Sequence, residues 1–133
     1  MAYLVDTSVL IGYLGGSMTE AVERFNEIIS LDIPFGITAI VYLEVLQGAS
    51  SQAAFEELDT FFNDQLFYAP RDLVTTHRDA AHLYFRCRRH GVSPRSGADC
   101  LIAAIAIEHD LVLLHDDRDY VAMARVIPEL KLA

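Results

Sequence analysis

Short, mostly apolar runs alternate along this chain with longer segments of helical periodicity. Strands are predicted at positions 2–5, 34–37, 66–68 and 111–114, with an edge strand at 130–132. Helices are predicted after position 6, over 20–30, over 38–47, from 51, over 71–90 and over 96–109, with a short one after 119. This alternation is typical of a parallel sheet covered by helices on both faces. We therefore expect a three-layer α/β/α fold around a short, mostly parallel sheet of four to five strands, forming one domain over residues 1–133.

Three acids each stand alone in a long uncharged stretch. Asp6 is the only charged residue in positions 1–19, Glu44 in 33–55 and Asp99 in 96–107. A carboxylate near a core costs on the order of several kcal/mol unless it is paired or bound to a metal. No lysine or arginine lies close in sequence to pair with these acids, so a divalent cation would balance them if the fold brings them together.

A further group of acids, Asp116, Asp117 and Asp119, follows the apolar run 111–114. Asp6 likewise follows the first predicted strand. Since the carboxyl ends of parallel strands lie on the same side of a sheet, where ligands bind in such folds, Asp6 and Asp117 are expected to lie together.

Each acid also has a purely structural interpretation. Asp6 could cap the helix that follows it, although Thr7 or Ser8 is also suited to that position. Glu44 could lie on a narrow solvent-exposed stripe of its helix. Asp99 could complete a capping box that begins at Ser96. The aspartates after position 115 could belong to an ordinary polar loop.

Taken together, the acids indicate a site for a hard cation. Carboxylate oxygens without cysteine suit Mg²⁺ or Mn²⁺. Such ions polarise a phosphoryl oxygen, activate water and stabilise a leaving oxygen, which are the three needs of phosphodiester hydrolysis. The five histidines show no metal-binding spacing, and only His115 lies beside the acids.

Charge is distributed unevenly along the chain. The net charge of −9 argues against broad, nonspecific binding of nucleic acid, yet residues 77–95 hold five arginines and one acid. This segment is either a solvated helix face with its loop or an edge that contacts phosphate, for which arginine is well suited. The candidates for contact with an RNA backbone are Arg86, Arg89 and Arg95.

Bulk properties narrow the class of protein. The mean hydropathy of +0.27 is high and hints at a surface that a partner covers. The longest apolar run, 100–107, is too short to span a bilayer, and the N-terminal stretch does not have the pattern of a signal peptide. Cys87 and Cys100 lack metal or redox spacing, so we expect reduced thiols and a cytoplasmic location.

Four segments in this order resemble the PIN-domain ribonucleases, and specifically the VapC-type toxins of type II toxin–antitoxin systems. They are residues 4–9 (LVDTSV), 37–48 (ITAIVYLEVLQG), 99–104 (DCLIAA) and 113–120 (LLHDDRDY). Each segment alone is weak evidence, whereas all four at these separations are specific. The resemblance covers nearly the whole chain.

The resemblance implies a function and a set of site residues. It implies a Mg²⁺- or Mn²⁺-dependent endoribonuclease that cuts single-stranded regions of RNA, often in tRNA or rRNA. Asp6, Glu44, Asp99 and Asp117 match the acidic quartet, and Asp119 matches a further acid that is less consistently a ligand. Thr7 and Ser8 match hydroxyls near the first acid, and His115 stands where many members have threonine or serine. A cognate antitoxin and a homodimer are the implied partners, without a membrane.

Two other functions were weighed against this one. An aspartate-based phosphatase also places an acid after the first strand, but the chain reads Asp6-Thr7-Ser8 rather than the expected Asp-x-Asp. A response-regulator domain, a related alternative, needs a lysine after a late strand, and the only lysine is Lys131, near the C-terminus. A catalytically inactive PIN-like module that only binds a partner is the alternative from another class, and the complete acid set argues against it.

Overall fold

Four parallel strands and seven helices make up the fold in the computed structural model, which describes residues 1–133. The elements in chain order are β1 (Tyr3–Val5), α1 (Thr7–Leu14), α2 (Glu20–Ser30), β2 (Phe35–Gly36), α3 (Ala39–Leu46), α4 (Gln52–Asn63), α5 (Leu73–Arg89), α6 (Gly97–Glu108), β3 (Val112–Leu114), α7 (Arg118–Val126) and β4 (Lys131–Leu132). The expected three-layer α/β/α arrangement is confirmed, and every strand pair is parallel.

The sheet has the strand order β2-β1-β3-β4. The central strands β1 and β3 pair with Leu4 opposite Leu113 and Val5 opposite Leu114, and all four of these side chains are buried. Strands buried on both faces read as short apolar runs, which explains why the sequence pattern located them. The order places the ends of β1 and β3 side by side.

The strand predicted at 66–68 is wrong as a strand. Only an isolated bridge forms there, between Ile37 and Phe67. Gly36 permits this close approach, because a Cβ at position 36 would lie 2.6 Å from the ring of Tyr68 and 2.8 Å from the carbonyl of Leu66. Since Leu66 and Phe67 are largely exposed, the segment lacks the buried face that would extend the bridge into a fifth strand.

The helix starts agree with the sequence at two hydroxyl caps and differ at others. Thr38 and Ser51 cap α3 and α4 as predicted. The cap of α1 is Asp6, rather than Thr7 or Ser8. Ser96 precedes α6 but makes no side-chain capping bond, so the predicted capping box with Asp99 is not formed.

Helix α6 carries the most apolar surface into the core and packs along α5. Both cysteines lie in this region as free, buried thiols, and burial raises the pKa of Cys100 to about 12, so it is protonated at neutral pH. None of the helices combines the length and the apolar character that a membrane span requires.

Candidate metal centre

The candidate centre lies where β1 and β3 end. Asp6 directly follows β1, and its backbone N–H donates to the carbonyl of Leu114, the last residue of β3, over 2.9 Å. Asp117 begins α7 three residues further along. The expectation that Asp6 and Asp117 lie at the same edge of the sheet is therefore met by the topology.

Asp6 is almost fully buried, with 4% of its surface exposed, and three donors hold its carboxylate. The backbone N–H and the hydroxyl of Ser8 both donate to Oδ2, over 3.1 and 2.6 Å. The hydroxyl of Tyr120 donates to Oδ1 over 2.9 Å. Asp6 thus caps α1 and at the same time lies within the acid cluster, so the capping interpretation is confirmed and its role as a ligand stays a prediction.

Glu44 reaches the cluster from α3. Its Oε1 accepts a hydrogen bond of 2.8 Å from the hydroxyl of Thr7, the first residue of α1. The side chain is half-buried rather than exposed on a wet stripe. Thr7 and Ser8, which the sequence associated with the first acid, therefore hold two different carboxylates.

Asp99 lies in the first turn of α6 and faces the other acids. Its Oδ1 is 3.4 Å from the hydroxyl of Tyr120. Burial, and then the charges of Asp6, Asp117, Glu44 and Asp119 in that order, raise the pKa of Asp99 to about 6. The repulsion from Asp6 after β1, Glu44 on α3 and the two aspartates at the start of α7 places Asp99 at the point where the cluster converges.

Asp117 and Asp119 form the outer part of the cluster and share one cation. Arg95, in the loop before α6, donates from Nη2 to Asp117 Oδ2 and from Nε to Asp119 Oδ2, both over 2.8 Å. Carboxylate oxygens of Asp99, Asp117 and Asp119 all lie within 4.8 Å of one another. The neighbouring Asp116 is exposed and is not part of this group.

His115 lies against the cluster without extending it. Its Nδ1 accepts from the backbone N–H of Asp117 over 3.2 Å, which places the ring proton on Nε2. Burial lowers the pKa of His115 below its usual range, in opposition to the nearby acids, so the ring is neutral at pH 7. A neutral ring here orients the loop after β3 and adds no positive charge.

The arginines proposed for RNA contact occupy different surroundings. Arg86 forms a two-pronged ion pair with Glu129, over 2.8 and 3.4 Å. Arg89 lies over the ring of Phe85, 5.7 Å from its centre, without a carboxylate partner. Only Arg95 reaches the acid cluster, so the structure does not bring the three together.

Tyr120 is the site residue that the sequence analysis missed. It ends the 113–120 segment but was not singled out, because an aromatic residue beside an acidic loop ordinarily indicates packing. Its ring is fully buried in α7, and burial with the neighbouring acids raises its pKa far above the usual range, so its hydroxyl stays protonated and donates.

The residues fit a divalent cation of the Mg²⁺ or Mn²⁺ kind. All candidate ligands are carboxylates, with no cysteine in the cluster, and oxygen-only sets of this type suit hard cations. The positive charge of Arg95 offsets negative charge on Asp117 and Asp119 only. Asp6, Glu44 and Asp99 have neutral partners, which leaves a negative charge that a cation would balance.

Comparison with known proteins finds a matching family model and relatives that align over most of the chain. The model described as PIN domain matches residues 3–126. VapC ribonuclease Mb1587 of Mycobacterium bovis (strain ATCC BAA-935 / AF2122/97) and Ribonuclease VapC11 of Mycobacterium tuberculosis (strain ATCC 25618 / H37Rv) are each 30% identical to this chain over 124 residues, 92% of this chain and 92% of each relative.

Solved structures share the fold at lower identity. The structure of VapBC2 from Rickettsia felis, bound to a DNA fragment from its promoter, gives a TM-score of 0.74 at 19% identity. The match covers 100% of this chain and 98% of the chain in that structure. VapBC-1 from nontypeable Haemophilus influenzae gives 0.73 at 20% identity, covering 100% and 97%. With the family model and the relatives, these matches show that the chain belongs to the PIN-domain family, among its VapC-type members.

Proposed function

We propose that this protein is a Mg²⁺- or Mn²⁺-dependent endoribonuclease that hydrolyses phosphodiester bonds in single-stranded regions of RNA, in tRNA or rRNA. The observation that carries the proposal is the convergence of five acids from β1, α3, α6 and the start of α7 on Asp99, whose pKa rises to about 6. The matched relatives are named as ribonucleases, which indicates the reaction. The carboxylates of this chain are the ligands that a metal for this reaction would need.

Asp6, Glu44, Asp99 and Asp117 would hold the metal, with Asp119 as a further ligand. The bound ion would offset charge on the phosphoryl oxygens and lower the pKa of the attacking water. Ser8 and Thr7 hold Asp6 and Glu44 in fixed orientations. The bond from phosphorus to the leaving oxygen would break as the bond from the water oxygen to phosphorus forms, the attacking water would lose a proton to solvent and the leaving oxygen would take one up.

Arg95 has two roles in this account. Its guanidinium pairs with Asp117 and Asp119 and offsets one of their two charges before a cation binds, and it is 72% exposed, so it can turn outward to a phosphate of the RNA. Arg89, which lacks a carboxylate partner, is the better placed of the other two candidates, because Arg86 is engaged by Glu129. The RNA contacts of all three arginines stay predictions.

We also propose a cognate antitoxin, a homodimer and a cytoplasmic location. Solved relatives are VapB–VapC complexes, which makes an antitoxin the natural partner. A cleft of about 460 Å³ lined by Leu14, Leu58 and Phe61 offers apolar surface for such a partner. Exposed apolar side chains elsewhere, such as Phe85 and Leu73, are available to a second copy.

The test is cleavage of total cellular RNA by the purified protein, with Mn²⁺, with Mg²⁺ and with EDTA, beside an Asp6→Asn variant. Discrete fragments that require metal and are absent with the variant are the expected result, and the fragment ends identify the target. Cleavage that persists in EDTA or in the variant would contradict the proposal. Absence of cleavage and of metal-induced stabilisation would favour the partner-binding module instead.

A further inference from the structure

The hydroxyl of Tyr120 lies between two acids that repel each other. It is 2.9 Å from Asp6 Oδ1 and 3.4 Å from Asp99 Oδ1, while its ring is fully buried in α7. The two acids come from opposite ends of the chain, Asp6 after β1 and Asp99 in α6. A single phenol thus connects three elements at the convergence of the cluster.

Packing alone does not require a hydroxyl at this position. A phenylalanine ring would fill the same space, and a buried phenol needs a partner for its O–H. Here the partners are the carboxylates themselves. The phenol has one proton, which points to Oδ1 of Asp6 at 2.9 Å and is shared over a longer 3.4 Å with Oδ1 of Asp99, and no other protein donor reaches either atom.

The chemistry of the phenol matters for a cation site. A hydroxyl orients a carboxylate without cancelling its charge, whereas a lysine or arginine at the same place would form an ion pair and compete with a metal. Tyr120 contacts only Oδ1 of Asp99, so Oδ2 receives no hydrogen bond from the protein. Asp99 therefore keeps Oδ2 free while its Oδ1 lies against the same hydroxyl that holds Asp6.

We propose that Tyr120 is a positioning residue, whose hydroxyl holds Asp6 and Asp99 together in the orientation that binds the divalent cation. This inference rests on the proposed function. It assigns to Tyr120 an effect on metal affinity that acts through the two carboxylates, in the manner of outer partners that orient the ligands of a metal.

The experiment is a calorimetric titration of Mn²⁺ into the wild-type protein, into Tyr120→Phe and into Tyr42→Phe. The last is a matched control, because it also removes a tyrosine hydroxyl that donates to an aspartate, Asp59, over 2.5 Å, and this bond joins α3 to α4 outside the acid cluster. We expect Tyr120→Phe to bind Mn²⁺ about 10- to 100-fold more weakly and Tyr42→Phe to bind it as the wild type does.

Thermal unfolding in EDTA separates positioning from simple stability. A merely structural hydroxyl would lower the melting temperature of Tyr120→Phe and leave its Mn²⁺ affinity unchanged, and that result would overturn the inference. Equal weakening in Tyr42→Phe would also overturn it, since the effect would then not be specific to the cluster. If the wild type does not bind Mn²⁺ at all, the proposed function itself fails, which is distinguishable from failure of the Tyr120 assignment alone.

Discussion

The inner and outer acids of the cluster are held by different chemistry. The inner acids, Asp6, Glu44 and Asp99, accept from the hydroxyls of Ser8, Thr7 and Tyr120. The outer acids, Asp117 and Asp119, accept from the guanidinium of Arg95. Hydroxyls fix orientation and leave the charge in place, whereas a guanidinium cancels charge.

This difference separates two functions within one small site. The inner acids are the proposed ligands, and their negative charge has no positive partner in the protein, which favours binding of a cation. The outer acids share the single positive charge of Arg95, a side chain that is largely exposed and can turn away. Asp99 connects the two groups, because its carboxylate lies within 4.8 Å of the outer acids and shares Tyr120 with Asp6.

The largest effect is expected when Asp99, the connecting acid, loses its charge. Asp99→Asn keeps the size of the side chain and should strongly reduce metal-dependent RNA cleavage. The loss should exceed the factor of about 10 to 100 that is typical when a residue that only hydrogen-bonds to a metal ligand is removed. The measurement is the initial rate of cleavage in Mn²⁺. Asp116, an exposed acid in the loop after β3 that is not part of the cluster, gives the control, as Asp116→Asn should stay near the wild-type rate. Equal losses in both variants would remove the distinction between the cluster and its surroundings.

Removing the cation of the outer group should affect metal and RNA in opposite directions. In Arg95→Gln, Mn²⁺ no longer competes with a guanidinium for Asp117 and Asp119, so it should bind about two- to five-fold more tightly, as expected for loss of an exposed ion pair. The same variant should bind single-stranded RNA more weakly. Calorimetry gives the first quantity and fluorescence anisotropy with labelled RNA the second.

Arg78→Gln is the matched control for charge, since Arg78 pairs only with the adjacent Asp79 on α5. Unchanged Mn²⁺ affinity in Arg95→Gln would show that the outer acids do not take part in metal binding.

The charge of the inner group should make the metal-free protein sensitive to pH. Burial and the neighbouring acids raise the pKa of Asp99 to about 6 from its ordinary value of 3.8, so the folded state holds this proton more tightly than the unfolded chain. The contribution of Asp99 to stability therefore falls as pH rises from about 4 to about 6, and its cost is complete above that range. Urea unfolding in EDTA at about pH 5 and about pH 7.5 measures it.

Asp99→Asn should flatten this dependence and be more stable than the wild type at the higher pH. If the wild type and the variant lose stability in parallel, burial at Asp99 is not the cause.

The smallest loss of Mn²⁺ affinity is expected when Glu44 loses the hydroxyl of Thr7. Thr7→Val keeps the shape of the side chain and removes the hydrogen bond of 2.8 Å to Glu44. Mn²⁺ affinity should fall by up to about tenfold, the lower end of the range for residues that hydrogen-bond to a metal ligand. Thr60→Val on α4, whose hydroxyl bonds only within its own helix, is the control. A loss of Mn²⁺ affinity larger than that of Asp99→Asn in the same titration would reverse the proposed order of importance.

The sequence could predict the inner acids because each breaks an apolar stretch that belongs to the core. Asp6, Glu44 and Asp99 were expected as ligands for this reason, and Asp117 because it follows a buried strand. Their neighbours along the chain could not distinguish a cap from a ligand. Asp6 proves to be a cap as well as a member of the cluster, and Asp99 forms no capping box.

The remaining features depend on contacts that sequence separation hides. Tyr120 meets Asp6 across 114 positions, and Arg95 meets the outer acids across 22 and 24. The predicted strand at 66–68 has suitable residues, and Gly36 lets it approach β2 closely. It does not extend the sheet because Leu66 and Phe67 are exposed and provide no buried face. Local pattern carries no information on either condition.

The most direct test of the central claim is a calorimetric titration of Mn²⁺ into the wild-type protein and into Asp6→Asn. Asp6 is the buried acid that Ser8 and Tyr120 hold in place, so it should be indispensable to a cation site built on oriented carboxylates. The account predicts saturable binding to the wild type and its loss in the variant. Absence of binding to the wild type, or equal affinity in the two proteins, would contradict it.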